Sequence, residues 1–121
     1  MFATQVFRWA GIYGLVVMGP QLFLEAKTGQ DYPPPVNHPE FYYGFVGCAL
    51  AFQVVFLIIA TDPVRYRPMM IASIVEKASF GIGMPILFLQ NRIPTLVLCF
   101  SLIDLTLGTL FTIAWFRTPR K

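Results

Sequence analysis

Three ionisable side chains, Glu76, Lys77 and Asp104, stand inside stretches that are otherwise apolar. A charge at bilayer depth is costly, so such groups mark places where something is paired, bound or moved. A carboxylate there can hold an amine or a hydroxyl, relay a proton, or pair with a lysine on a neighbouring helix. Glu76 and Lys77 are adjacent in sequence and point about 100° apart on a helix, so they are not expected to face each other. Lys77 is expected to reach Asp104 on the next helix, or to snorkel toward water. Asp104 is too short to snorkel and must be paired, hydrated or protonated. With about 1.5 Å of rise per residue, Glu76 lies about 12 Å into its helix, and Gln53 lies at a similar depth. Gln53, Glu76 and Asp104 can therefore meet in one polar layer.

Two further patterns carry polar groups. Gly11, Gly14, Met18, Gln21 and Glu25 recur at spacings of 3, 4, 3 and 4, which is one helical face. Ser101, Asp104, Gly108 and Thr112 do the same later in the chain. Small residues permit close helix packing in lipid, and small residues mixed with polar ones also describe a cavity wall. Both readings stand. Glu25, His38 and Glu40 bracket a proline-rich stretch. Two carboxylates and an imidazole could do acid–base work or bind an amine. The plainer reading makes Glu40 a first-turn acid favoured by the helix dipole, His38 a cap and Glu25 a boundary residue.

Other chemistry finds no support. No nucleophile elbow, phosphate-binding glycine loop or zinc spacing is present, so neither a cofactor nor a metal is expected. The two cysteines, Cys48 and Cys99, lie in apolar runs and are expected to act as small packing residues. The net charge of +3 gives no reason to expect nucleic acid.

The elements that must position these groups are membrane helices. Of the 121 residues, 56% are hydrophobic and only 12% charged, against about 25% charged in an ordinary soluble domain. Mean hydropathy is +0.64. A span needs about 20 mainly apolar residues, and four segments qualify, at residues 6–24, 39–60, 68–89 and 94–116. No strand-like alternation competes, and lipid demands that backbone groups be satisfied within helices. Pro39, Pro68 and Pro94 each fall at a helix start, where a missing N–H is harmless. Pro20 and Pro85 fall inside helices and should kink them. Asn37 or His38 can cap the second helix. Residues 25–38, with Pro33, Pro34 and Pro35, form a connection expected to be stiff and extended. The first segment lacks an A-x-A-like cleavage site and is expected to be retained.

The fold expected is thus one all-α, integral-membrane four-helix bundle over residues 1–121, with antiparallel neighbours. Arg8, Arg65, Arg67, Arg117, Arg120 and Lys121 would share one side, and Lys27 and Arg92 the other. By the positive-inside rule both termini are expected to be cytoplasmic.

The run FYYGFVGCALAFQVVFLIIAT, at 41–61, is similar to the corresponding helix of the EXPERA-domain family, which includes the emopamil-binding protein and the sigma-two receptor. GIY at 11–13, P-x-L-F-L-E at 20–25 and MPILFL at 84–89 extend the likeness over about half the chain. The resemblance implies a four-helix membrane bundle with a pocket for sterols and cationic amphiphiles. It implies that Glu25 meets a ligand amine and that Gln53 is a polar pocket residue. The sequence departs from the family at Ala49, where a second pocket carboxylate is expected. It also lacks the histidine of the third helix and has Glu76 nearby. These departures argue against isomerase activity. The length and layout also resemble small DoxX-like four-helix membrane proteins.

The function expected is binding of a hydrophobic or amphiphilic small molecule, sterol-, lipid- or amine-like. Gln21 and Glu25 would line the outer part of the pocket, and Gln53, Glu76 and Asp104 the deeper part. Membrane lipid and such a ligand are the expected partners. The alternatives are an accessory subunit of a membrane complex, in which buried charges specify helix contacts, and an ion-coupled transporter formed by a homodimer. If the chain is an enzyme, a membrane isomerase acting on a lipid-like substrate is the option.

Overall fold

A computed structural model describes residues 1–120; Lys121, one of the basic residues used for orientation, lies outside the described residues. The architecture is all-helical, with no strand among the described residues. The helices are α1 (Phe2–Met18), α2 (Glu25–Asp31), α3 (Pro39–Thr61), α4 (Met69–Leu89) and α5 (Thr95–Arg117). Three of them, α3, α4 and α5, are long and apolar enough to cross a membrane.

The helix ends follow proline chemistry. Pro39 occupies the first turn of α3, and Pro68 and Pro94 are the residues immediately before α4 and α5. A proline there gives up a backbone N–H that no helix bond needs. His38 precedes α3, but its ring caps no amide. Its Nδ1 lies 3.2 Å from Glu40 Oε1 instead, and the chain end is held by its carbonyl, which accepts from the amides of Phe41 and Tyr42. α4 runs on through Pro85 as one helix.

The stretch around Pro20 departs from the sequence expectation. The helix expected over 6–24 starts earlier and ends at Met18; a 3₁₀ turn then runs over Gly19–Phe23. Pro20 has no N–H to continue the α-helical ladder, and the chain tightens into the 3₁₀ form. The face from Gly11 to Met18 therefore does not continue to Gln21 and Glu25. The connection expected to be extended is partly helical too, because Glu25–Asp31 forms α2. Lys27 and Asp31 pair across one turn of it at 3.1 Å, in the i,i+4 arrangement that supports short helices.

The buried core lies toward one end. Phe7 of α1 stacks on Phe111 of α5, with ring centroids 4.2 Å apart, and Phe56 of α3 meets Phe111 edge-on at 4.9 Å. Ile59 of α3, Met70 of α4 and the alanines Ala3, Ala10, Ala60 and Ala114 complete the cluster. The start of α1, the end of α3, the start of α4 and the end of α5 thus meet in one place. α4 packs along α5 and α1 along α3, whereas α3 and α4 meet only sparingly. The closeness of α4 and α5 depends on Gly81: a Cβ there would stand 2.8 Å from Leu105 Cγ and 3.1 Å from its backbone nitrogen. Both cysteines are exposed rather than packed inside, because each falls on a helix face turned away from the core.

Candidate functional site

The ionisable residues of α4 and α5 form a knot just beyond the aromatic core. Lys77 is 4% exposed, so its ammonium does not snorkel to water. Its Nζ donates to Asp104 Oδ1 at 3.3 Å and lies 3.7 Å from Glu76 Oε2. It also stands 5.2 Å from the centroid of the Phe56 ring, whose electron-rich face attracts a cation. The expectation that Glu76 and Lys77 do not face each other needs correction. Their Cα–Cβ directions diverge, but the four-carbon stem of lysine swings the ammonium between the two carboxylates. Gly108 makes room for that stem, since a Cβ on Gly108 would come 3.2 Å from Lys77 Cβ.

The two carboxylates are not equivalent. Asp104 has the hydrogen bond from Lys77. Glu76 Oε2 is sealed from solvent and accepts no hydrogen bond. The sparse contact of α3 with α4 leaves a cleft of about 720 Å³, and Glu76 stands in its wall. The rest of the lining is almost wholly apolar: Phe45, Ala49 and Phe52 from α3, and Ala72, Val75, Phe80 and Met84 from α4. Cys48 and Ser79 add small, weakly polar groups; the Ser79 hydroxyl already donates to the carbonyl of Val75. The volume lies within the range of small-molecule pockets, about 300–1,000 Å³, which are mostly apolar with few polar groups.

The other residues singled out in the sequence stand outside this cleft. Gln53 is buried at the α1–α3 contact, where its Nε2 donates to the carbonyl of Ala49 at 2.8 Å and its Oε1 has no partner. Its amide fills the hollow left by Gly14, so this part of the small-residue face serves close packing. Gln21 lies in the 3₁₀ turn, and its backbone carbonyl accepts from the Tyr42 hydroxyl at 2.7 Å. Glu25, at the start of α2, accepts from the Tyr43 hydroxyl at 3.1 Å. The proposed outer cluster comes together only in part: His38 meets Glu40, both exposed, and no hydrogen bond or ion pair among the described residues joins either to Glu25. No group of three or more His, Cys, Asp or Glu among the described residues is placed to hold a metal ion.

Two features were not read from the sequence: the cleft and the role of Arg67. The residues of the cleft lining are ordinary lipid-soluble types. Arg67 stands just before α4. Its Nε donates to the carbonyls of Trp115 and Thr118, its Nη2 to that of Trp115, and its guanidinium lies 3.5 Å from the centre of the Trp115 ring. It closes the end of α5, where carbonyls lack intrahelical donors. An arginine near an aromatic at a helix boundary is the signal that could have found it.

Comparison with protein-family models, with curated proteins and with solved structures gives no match.

Proposed function

We propose that this chain is an integral membrane protein with four spans and cytoplasmic termini, and that its α3–α4 cleft binds a hydrophobic or amphiphilic small molecule. The helices α3, α4 and α5 qualify as spans by length and composition. α1 has 17 residues, about 26 Å, and the 3₁₀ turn that follows adds about 10 Å, enough for a hydrocarbon core of about 30 Å. The cationic residues Arg8, Arg65, Arg67 and Arg117 fall at the end where the aromatic core lies, and the positive-inside rule then favours a cytoplasmic placement of that end.

The observation that carries the ligand reading is Glu76. Its Oε2 is closed off beside Lys77, but 20% of the side chain stays accessible, and Glu76 lines the cleft. A ligand whose polar group donates to the accessible part of the carboxylate, and whose apolar body fills the cleft, gives Glu76 a hydrogen bond that the protein does not supply. An amine or a hydroxyl at the end of a chain or ring system meets both demands. The EXPERA resemblance points to the same ligand chemistry but would place the anchor at Glu25; the cleft favours Glu76.

The test is thermal stabilisation of the purified chain in phosphatidylcholine nanodiscs by N,N-dimethylhexadecylamine and by hexadecan-1-ol. Saturable stabilisation is expected, and Ala72→Trp, which fills the cleft, should abolish it. Equal stabilisation of the filled variant would place the ligand elsewhere.

A further inference from the structure

Lys77 has two anions and one ammonium to share. Its Nζ is 3.3 Å from Asp104 Oδ1 and 3.7 Å from Glu76 Oε2, and only the first contact is a hydrogen bond. Glu76 stands in the cleft wall, and Asp104 does not. The ammonium is confined, since Lys77 is buried, its stem lies against Gly108 and its charge lies by the Phe56 ring. A shift of a few tenths of an ångström is enough to change which carboxylate holds it. In a low-dielectric interior one ammonium satisfies only one carboxylate well, and the other is left to pair with a second cation or to take up a proton.

We propose that Asp104 is a positioning residue that holds Lys77 away from Glu76, and so keeps Glu76 free to take the cationic head of a ligand in the cleft. The proposal rests on the cleft reading above. Lys77 is an internal competitor: an ammonium already attached to the protein, within ion-pair range of the group a ligand amine needs. Asp104 decides the competition because it is the stronger partner in the unliganded chain. A ligand amine on Glu76 repels Lys77 toward Asp104 and shortens that contact. Occupancy of the α3–α4 cleft is thereby coupled to the α4–α5 pair, and by reciprocity a tighter Lys77–Asp104 contact raises ligand affinity. A neutral hydroxyl head gains less, since it needs only one acceptor oxygen and does not oppose the ammonium.

The experiment compares the affinity for N,N-dimethylhexadecylamine, protonated at neutral pH, with that for hexadecan-1-ol. Affinities are read from the concentration dependence of Tm in phosphatidylcholine nanodiscs. In Asp104→Asn, Lys77 has only Glu76 to pair with. Amine affinity should fall about tenfold or more, the scale of a lost charge-assisted bond. Alcohol affinity should change little, so the amine-to-alcohol ratio falls. Asp104→Glu, which keeps the anion, should restore the ratio. With Lys77→Met the competitor is gone, and adding Asp104→Asn should then leave amine affinity unchanged.

A purely structural role for Asp104 would lower both affinities alike and would overturn the proposal. An equal loss of amine affinity in the Lys77→Met background would also overturn it, because Asp104 would then act directly on the ligand. If Lys77→Met does not fold, the ratio in Asp104→Asn and Asp104→Glu still decides. If the parent chain binds neither compound, the cleft reading itself fails; if it binds both and the ratio does not move, only the role of Asp104 fails.

Discussion

The side-chain amide of Gln53 occupies the hollow that Gly14 leaves in α1: a Cβ built on Gly14 would fall on Gln53 Oε1 and Cδ. One helix supplies an absence and the other fills it, which lets α1 and α3 approach closely. Gly14→Ala should therefore overpack the contact and destabilise the chain by about 1–3 kcal/mol. Gln53→Ala in the same chain should recover part of that loss in detergent melting. If the two losses simply add, the residues do not share the space described.

Lys77 and Asp104 form a buried pair across α4 and α5. Removing Lys77 leaves both Asp104 and Glu76 without a cation, at a cost of roughly 3–5 kcal/mol by analogy with soluble proteins, whereas removing Asp104 leaves Lys77 its second carboxylate, Glu76. Lys77→Met should lower the melting temperature markedly, and Asp104→Leu by less. The double variant should be milder than Lys77→Met alone, because only one carboxylate is then left without a cation. Additive losses would show that the contact contributes nothing to the fold.

Arg67 should be the arginine most sensitive for stability. It donates three hydrogen bonds to carbonyls at the end of α5 and lies over Trp115. Arg67→Ala is expected to lose at least the roughly 1.5–3 kcal/mol of a charged hydrogen bond. Arg67→Lys keeps the charge without the planar fork and should recover only part. Arg65→Ala, at an exposed neighbour, serves as the comparison and should melt close to the parent. Equal effects at both positions would contradict the clamp.

The four-span topology predicts opposite signals from compartment-sensitive reporters fused at Lys121 and within residues 28–37. Like signals from the two sites would exclude an odd number of crossings between α1 and the end of the chain.

Much of the helical architecture was legible in the sequence, because long apolar runs bounded by prolines leave few alternatives to membrane helices. The Lys77–Asp104 contact follows from a rule visible there too: a buried ammonium needs an anion, and the next apolar helix offers only one. The break after Met18 was harder to see. Pro20 is compatible with a kinked helix or with a 3₁₀ turn, and tertiary context selects the turn. That choice removed Gln21 and Glu25 from the face they share on paper with Gly11 and Gly14. The cleft was not legible at all. It exists because Gly14 and Gly81 draw α1 to α3 and α4 to α5, leaving α3 and α4 apart, and no local pattern in Phe45, Phe52 or Phe80 records that spacing.

The central claim is that Glu76 anchors an amphiphile in the α3–α4 cleft. Glu76→Gln keeps the shape and removes the charge, so the affinity of this variant for N,N-dimethylhexadecylamine in phosphatidylcholine nanodiscs isolates the anchor. A charge-assisted bond contributes roughly 1.5–3 kcal/mol, or about 10- to 150-fold in affinity. A loss of that size is expected in the variant. Equal affinity in parent and variant would contradict it.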